Sequence, residues 1–366
     1  MDYSTQPSTR EALNSEMKMQ QKLLTIIVPS FNMEAYLAQN LDSLLVGGEA
    51  QALLDVIVVD DGSTDDTARI AQTYVQRFPE CVRLLCKSNG HYGSCVNVGL
   101  AAARGIYVRV LDADDSMDKA MFARYLNWLS AEDAKGESVD LVISDWVKVD
   151  MNGTPFERRH YGLPEGRISI VDVGRTDLFV GGVAYRTAVL RKMAYRQTEG
   201  CAYTDMEWVN LPLAFVQTAL YFPYPVMRYR IGRAGQSVEP ETYLRGVPKI
   251  LEIILGCMQF YKQRQTQLTP VARDRFRERI GWLIVGGYSR CLLGMFGRLP
   301  NCDLRPFDDA VLAFGEGMET FTDSQWIPYS LFGRRRKLRY IRLWRKRKTR
   351  KTFSYWLYDH FGRQLD

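Results

Sequence analysis

This sequence is short of the groups on which most zinc, redox and disulfide-framed proteins are built. It has three histidines, His91, His160 and His360, and no HExxH-type zinc site can be written from them. Its cysteines (81, 86, 95, 201, 257, 291 and 302) are scattered without a CxxC pair. That argues against a zinc site and a disulfide framework, and it fits a reducing cytoplasm. No run of about 18 apolar residues occurs, so no membrane-spanning helix is expected. The nearest approach, Ile280 to Phe296, is interrupted by Arg290 and diluted by glycine, and reads as buried helix. Met1 to Gln21 is polar and lacks the apolar centre of a signal peptide. There is no GxGxxG turn and no GK[ST], which disfavours dinucleotide and P-loop chemistry. One further lack is local. Arg334 to Lys351 contains no acidic residue and twelve Lys/Arg, whereas the rest of the chain holds 36 basic against 42 acidic residues. The net charge of +6 therefore belongs to one segment.

What is present is a large core. In 366 residues, 46% are apolar and 12% aromatic, enough for one large domain or two ordinary ones. Leu23 to Pro29 reads as a buried strand, and Glu34 to Leu45 as a helix with Leu37, Leu41, Leu44 and Leu45 on one face. Asp55 to Val59 is a second strand and Asp66 to Gln76 a second helix. Val82 to Leu85 is a third strand, Asn89 to Gly93 a loop, and Ser94 to Arg104 a third helix. This alternation predicts an α/β fold with a mostly parallel, Rossmann-like sheet flanked by helices. Its site should lie at the carboxyl ends of the strands. A helix over Lys119 to Ser130, a strand over Asp140 to Asp145, a helix over Ala184 to Met193, another from Tyr203 to Phe215 and a strand over Tyr221 to Tyr229 follow. Beyond Pro240 the periodicity turns helical: Val247, Ile250, Leu251, Ile254, Leu255 and Met258 form one face, with further helices near 271–293 and 307–314. The expected organisation is an arm (1–22), an α/β domain (23–240), a helical region (241–332) and a basic, aromatic tail (333–366).

The stretch Val108 to Asp115 draws attention within this plan. Val108, Val110 and Leu111 suit a buried strand, and three carboxylates follow within four positions. Unpaired carboxylates cannot stay inside a sheet, so they belong at its carboxyl edge. Asp112, Asp114 and Asp115 could converge on a hard cation such as magnesium or manganese. They also suit a turn that caps the next helix.

The motif order carries more than any single motif. Thr25 to Asn32, Val58 to Asp65, Asn97 to Leu100 and Leu111 to Asp115 resemble family 2 glycosyltransferases, with about thirty residues between the first two motifs and about fifty from the second to the acidic one. The resemblance covers residues 23–240. It implies a GT-A fold, a helical C-terminal region beside it, and a nucleotide-diphosphate-sugar site. By that resemblance Pro29, Phe31 and Asn32 would border the nucleoside with Glu34 nearby, Asp60 and Asp61 would meet the base, and Asn89 and Gly93 would lie in the nucleotide-binding loop. Asp112 and Asp114 would form the DXD pair, with Asp114 the metal ligand of choice and Mn2+ or Mg2+ the cation. Tyr203 to Trp208 looks like the family's acidic motif, and makes Asp205 the base with Glu207 as fallback. Thr204 stands where the family has a glutamate. The same residues also read as a capping box, Thr204 with Glu207. Arg230, Arg233, Gln236 and Ser237 resemble a loop over the diphosphate or acceptor.

The basic segment interleaves Leu338, Tyr340, Ile341, Leu343 and Trp344 with its charges, and aromatics follow from Phe353 to Tyr358. Residues 334–358 are therefore expected to meet an anionic membrane surface, at about 1 kcal/mol per basic residue near the lipid. No nucleic-acid fold motif accompanies the charge, and no nucleic-acid partner is expected. The expected activity is an inverting, metal-dependent transfer from a UDP-sugar to a glycan or lipid-linked hydroxyl, at the inner face of the plasma membrane. A sugar nucleotidyltransferase and a degenerate, scaffolding relative are the alternatives. The first would need a glycine-rich basic loop where Pro29 to Asn32 stands.

Overall fold

A computed structural model describes residues 22–346, apart from 138, 175, 297, 332 and 333. The expected arm through residue 21 and the aromatic tail from Phe353 to Tyr358 lie outside the described residues. The chain forms two compact units. One contains the chain through Glu199 together with Val216–Ile231; the other contains Gly200–Phe215 and the chain from Gly232.

The first unit begins as the sequence alternation predicts. Strands β1 (Leu24–Ser30), β2 (Leu54–Asp60), β3 (Val82–Cys86) and β4 (Tyr107–Val110) are parallel, in the order β3-β2-β1-β4. β2 is buried along its whole length and β1 nearly so, as continuous apolar runs covered on both faces require. Helices α1 (Leu37–Leu44), α2 (Thr67–Arg77) and α3 (His91–Ala102) connect them. A Cβ on Gly99 would sit 2.5 Å from Ile27 Cγ2, so glycine there lets α3 lie close on β1. The register puts Ser30 beside Asp60 and Ile27 beside Val110. The strand ends, and the polar residues that follow them, thereby share one edge.

The other half of the sheet is largely antiparallel. It contains β5 (Ser116–Met117), then helix α4 (Lys119–Asp133), β6 (Leu141–Val149), β7 (Pro155–Arg159), β8 (Gly166–Ile168), β9 (Val183–Arg186) and β10 (Ala219–Arg230). The order continues β4-β9-β6-β10-β5. A helix was expected over Ala184 to Met193. Its first part is instead β9, antiparallel to both β4 and β6, and helix α5 runs only from Thr187 to Lys192. Val183, Ala184 and Tyr185 are fully buried, and a branched or aromatic side chain held between two strands packs better there than on a helix. β6 and β10 are parallel, with register shifts on either side of Pro225, a residue that cannot donate to the ladder. The sheet is therefore mixed and helix-flanked, with its parallel run confined mainly to the first four strands.

The second unit is helical. Helix α6 (Asp205–Asn210) is much shorter than the expected helix to Phe215, because Pro212 starts a separate 3-10 turn. The long helices α7 (Pro240–Arg264) and α8 (Pro270–Leu292) follow, then α9 (Arg305–Phe314) and α10 (Met318–Ser324). Val247, Ile250, Leu251, Ile254 and Met258 of α7 are buried, as their spacing predicts. The basic segment is not one continuous element. Its first residues are strand β12 (Arg334–Leu338), paired antiparallel with β11 (Ile327–Leu331), and helix α11 covers only Tyr340–Arg345. Tyr340, Ile341 and Trp344 are buried, and the Arg345 guanidinium bonds Asp308 and Asp323 at 2.7 Å each. The apolar side read as membrane-facing is thus committed to the core of this unit. Among the described residues, no helix is long and apolar enough to cross a membrane.

Candidate active site

The acidic turn follows β4 at the carboxyl edge of the parallel strands. One carboxylate oxygen each from Asp112, Asp114 and Asp115 lies within 4.8 Å of the others. Asp114 and Asp115 are buried and Asp112 is half-buried. The Asp115 amide donates to the Asp112 carbonyl at 3.0 Å and closes the turn. The Asn40 side-chain amide donates to the carbonyls of Asp112 and Asp115, both at 3.0 Å, so α1 holds the turn from below. Asp115 Oδ1 accepts the Arg230 amide at 2.8 Å, whereas its buried Oδ2 has no hydrogen-bond partner. Burial, followed by the charges of Asp114 and Asp112, holds the Asp115 carboxyl well above the usual carboxylate range. Three close carboxylates with one oxygen left over fit a hard cation with oxygen ligands. The donor set contains no soft ligand.

Two side chains near these strands have partners that the sequence does not reveal, and Tyr92 was read only as part of the Asn89 to Gly93 loop. Tyr92, in the first turn of α3, donates its hydroxyl to Asp112 Oδ1 at 3.0 Å. A tyrosine in a glycine-bearing loop gives no periodic signal; the pairing exists only because α3 and β4 are neighbours of β1. Arg109 is fully buried on β4, bonds Ser144 Oγ at 3.1 Å and the Gly181 carbonyl, and lies over the Tyr125 ring. Burial lowers its pKa. Arg230, read as part of a loop over the diphosphate, ends strand β10 instead. Its guanidinium bonds the carbonyls of Asp114 at 2.9 Å and Met151 at 3.0 Å, and Gln39 Oε1 at 2.6 Å. It braces the backbone of the acidic turn.

The residues read as bordering the nucleoside occupy the adjacent strand ends. Pro29 lies on β1 and Phe31 just beyond it, 44% exposed. Asn32 has φ of 53° and accepts the Thr64 amide at 2.9 Å, while its own amide donates to Ser63 Oγ at 3.0 Å. Glu34 accepts the Asp66 amide at 2.9 Å, and its amide donates to Asp65 at 3.0 Å. These two residues thus staple the loop after β1 to the loop after β2. Asp60 and Asp61 are buried at the end of β2. Asp61 Oδ1 takes the Lys87 ammonium at 2.5 Å and the Gly90 amide at 3.0 Å. Asn89 accepts the His91 amide at 3.3 Å. A Cβ on Gly93 would lie 1.9 Å from the Thr198 carbonyl oxygen, so that glycine serves a close backbone approach.

Asp205 and Glu207 lie on the helical unit. Asp205 opens α6 and is half-buried; burial raises its carboxyl above the ordinary value, opposed by its own and Met206 amides and by Arg290. Thr204 makes no side-chain cap hydrogen bond, so the capping box is not formed. Glu207 is buried, and its charge helps to raise the Cys257 thiol of α7. Tyr203, at φ 66°, donates to the carbonyls of Ser237 at 3.2 Å and Thr242 at 3.1 Å. In the loop read as a lid, Gln236 is buried and accepts the amides of Gly232 at 3.0 Å and Arg233 at 3.1 Å, closing the loop on itself; Ser237 is exposed.

Known proteins share both the sequence pattern and the fold. Residues 25–194 match the model of Glycosyl transferase family 2. That segment, rather less than half of the chain, is similar to the family. The chain is 35% identical over 143 residues to the uncharacterized glycosyltransferase EpsJ of Bacillus subtilis, covering 39% of this chain and 38% of EpsJ. It is 31% identical over 223 residues to the uncharacterized glycosyltransferase YibD of Escherichia coli, covering 58% of this chain and 63% of YibD. The matches thus span only part of these relatives. The S. aureus TarS structure matches with a TM-score of 0.56 at 18% identity, over 82% of this chain and 50% of that one. A TarS 1–349 structure in complex with UDP-GlcNAc matches at 0.51 and 17%, over 86% and 96%. The structural likeness establishes the shared fold. The matched residues contain the acidic turn, Tyr92, Asp61 and the stapled loops; Asp205 lies beyond them.

Proposed function

We propose that this protein is an inverting, metal-dependent glycosyltransferase. It moves a sugar from a nucleotide-diphosphate donor to a hydroxyl of a glycan or lipid-linked acceptor in cell-surface polysaccharide synthesis. The observation that carries this reading is the buried carboxylate cluster at the edge of the parallel strands, with its unpartnered Asp115 oxygen. A diphosphate is repelled by such a cluster unless a cation stands between them. Asp112 and Asp114 would hold Mn2+ or Mg2+, joined by Asp115. When bound, the cation offsets the charge that develops on the leaving diphosphate.

The chain's own groups have separate tasks. Tyr92 and Asn40 hold the acidic turn in position. Asp61, with Asp60 beside it, binds the base. Asp205 accepts the proton of the acceptor hydroxyl as its oxygen bonds to the anomeric carbon. The bond from that carbon to the diphosphate oxygen breaks on the opposite side, and the nucleoside diphosphate departs with inversion. A carboxyl raised by burial is a better proton acceptor than a solvated one. Arg233, Gln236 and Ser237 are proposed to close over the diphosphate or acceptor. The UDP-GlcNAc complex of TarS makes UDP-sugars the first donors to test. The basic segment supports attachment to the anionic inner face of the plasma membrane, through charge rather than through the buried residues of α11.

The test is release of nucleoside diphosphate from a panel of nucleotide sugars with manganese. Asp114→Asn should lower turnover by roughly a thousandfold, the scale of a lost cation contribution of several kcal/mol, while the circular-dichroism spectrum is kept. Full activity in chelator, or in Asp114→Asn, would refute metal dependence.

A further inference from the structure

The helical unit carries a concavity of about 550 Å³, unrelated to the acidic turn in composition. Lys337, Arg339, Arg342 and Lys346 line it together with Trp326 and Leu343, and no carboxylate does. These cations are not a loose charge run. Burial of Tyr340, Ile341 and Trp344 and the ion pairs of Arg345 with Asp308 and Asp323 fix α11 in place. Arg342 lies on that helix, Arg339 and Lys346 flank its two ends, and all three line the concavity. Lys337 comes from β12 and rests 4.0 Å from the centre of the Trp326 ring. Arg345, one helix face away, has two carboxylates. Arg339, Arg342 and Lys346 have no carboxylate partner among the described residues. Four like charges in one concavity repel each other, and an anion would relieve that cost.

We propose that this pocket binds a diphosphate or closely spaced phosphate esters. Two guanidinium forks match phosphate oxygens in pairs, and two ammonium groups add point charge. The volume lies within the ordinary range for small-molecule sites, about 300–1,000 Å³. Trp326, 46% exposed, and half-buried Leu343 supply an apolar shelf for the sugar or lipid carbon that bears the phosphate. This goes beyond diffuse attraction to a surface, and it does not depend on the donor-site reading.

Calorimetric titration of the full chain with inorganic pyrophosphate, in chelator so that the acidic turn carries no cation, tests the soluble source. Co-sedimentation with phosphatidylcholine vesicles, with and without phosphatidic acid, tests the lipid source. The Arg339→Gln/Arg342→Gln variant alters two exposed side chains without partners and should lose at least about tenfold in affinity, as expected for two charge-assisted contacts. Arg273→Gln/Lys249→Gln removes the same charge elsewhere on this unit and should change affinity less than about twofold. Pyrophosphate binding with this pattern supports the pocket for a free phosphate group; vesicle binding alone with this pattern assigns it to a lipid-borne one. Equal losses in the two variants would mean diffuse charge and overturn the proposal, as would no binding in either arm. UDP binding with manganese, measured on the same variants, reports the donor site separately.

Discussion

At the scale of single residues, the acidic turn depends on groups that hold its carboxylates in position. Tyr92→Phe keeps the ring and removes only the hydroxyl that bonds Asp112. It should lower manganese affinity roughly 10–100-fold, the usual consequence of losing a ligand's supporting hydrogen bond, with the melting temperature nearly unchanged. Isothermal titration would show it; unchanged affinity would mean that Asp112 needs no such support. Asp205 raises a question of sign. Its carboxyl is raised by burial, so the folded state holds that proton more tightly than the unfolded chain. Its contribution to stability is full below the ordinary aspartate value of 3.8 and is lost as pH rises through the higher folded value. Asp205→Asn should therefore stabilise the protein at pH 7 relative to wild type, and this gain should fade toward pH 4. The same change should abolish transfer if Asp205 is the base. Denaturant titrations at the two pH values, set beside activity, separate the effects.

At the scale of elements, close contacts decide where the loops lie. α3 reaches the site because two glycines let it approach its neighbours: Gly99 against Ile27 and Gly93 against the Thr198 carbonyl. Gly93→Ala puts a carbon where the Thr198 backbone already stands, so the loop that carries Thr198 or the helix must move. The expected cost is about 1–3 kcal/mol of stability, read as a lower denaturation midpoint with an unchanged slope. The strands and long helices were legible because their apolar periodicity is strong, as in β1, β2 and α7. β9 was not. Val183 to Arg186 is too short to show a period, and its burial comes from β4 and β6, which are distant in sequence. α6 was read too long because Pro212 permits a helical start but here opens a separate turn.

At the scale of the whole molecule, the basic segment changes meaning most. Its twelve Lys/Arg suggest a solvated or membrane-bound tail, yet Trp344 and Ile341 complete the core of the helical unit. Arg345→Leu would leave Asp308 buried without its cation, at a cost of about 3–5 kcal/mol. Thermal unfolding should show the helical unit melting earlier, whereas manganese binding at the acidic turn should be kept at low temperature. Cutting the chain before Gly333 would remove α11 as well as the charge, so loss of membrane association after that cut would not isolate the basic residues. Charge-neutral substitutions at Lys337 and Lys346 do so, because both are exposed and the core residues remain.

The sequence alone determined the α/β alternation, the ordered motifs and the carboxylates at the end of β4. Each is local: an apolar period, a turn residue or a short acidic run declares itself within ten positions or so. Only the tertiary structure decided what those groups do for each other. Glu34 became a clamp on α2, Arg230 a brace under Asp114, and Tyr92 a support for Asp112, although the family resemblance had set Glu34 and Arg230 beside the ligand and Tyr92 was read only as a loop residue. Their partners lie 20 to 116 positions away along the chain, and no local pattern encodes a hydrogen bond across that distance.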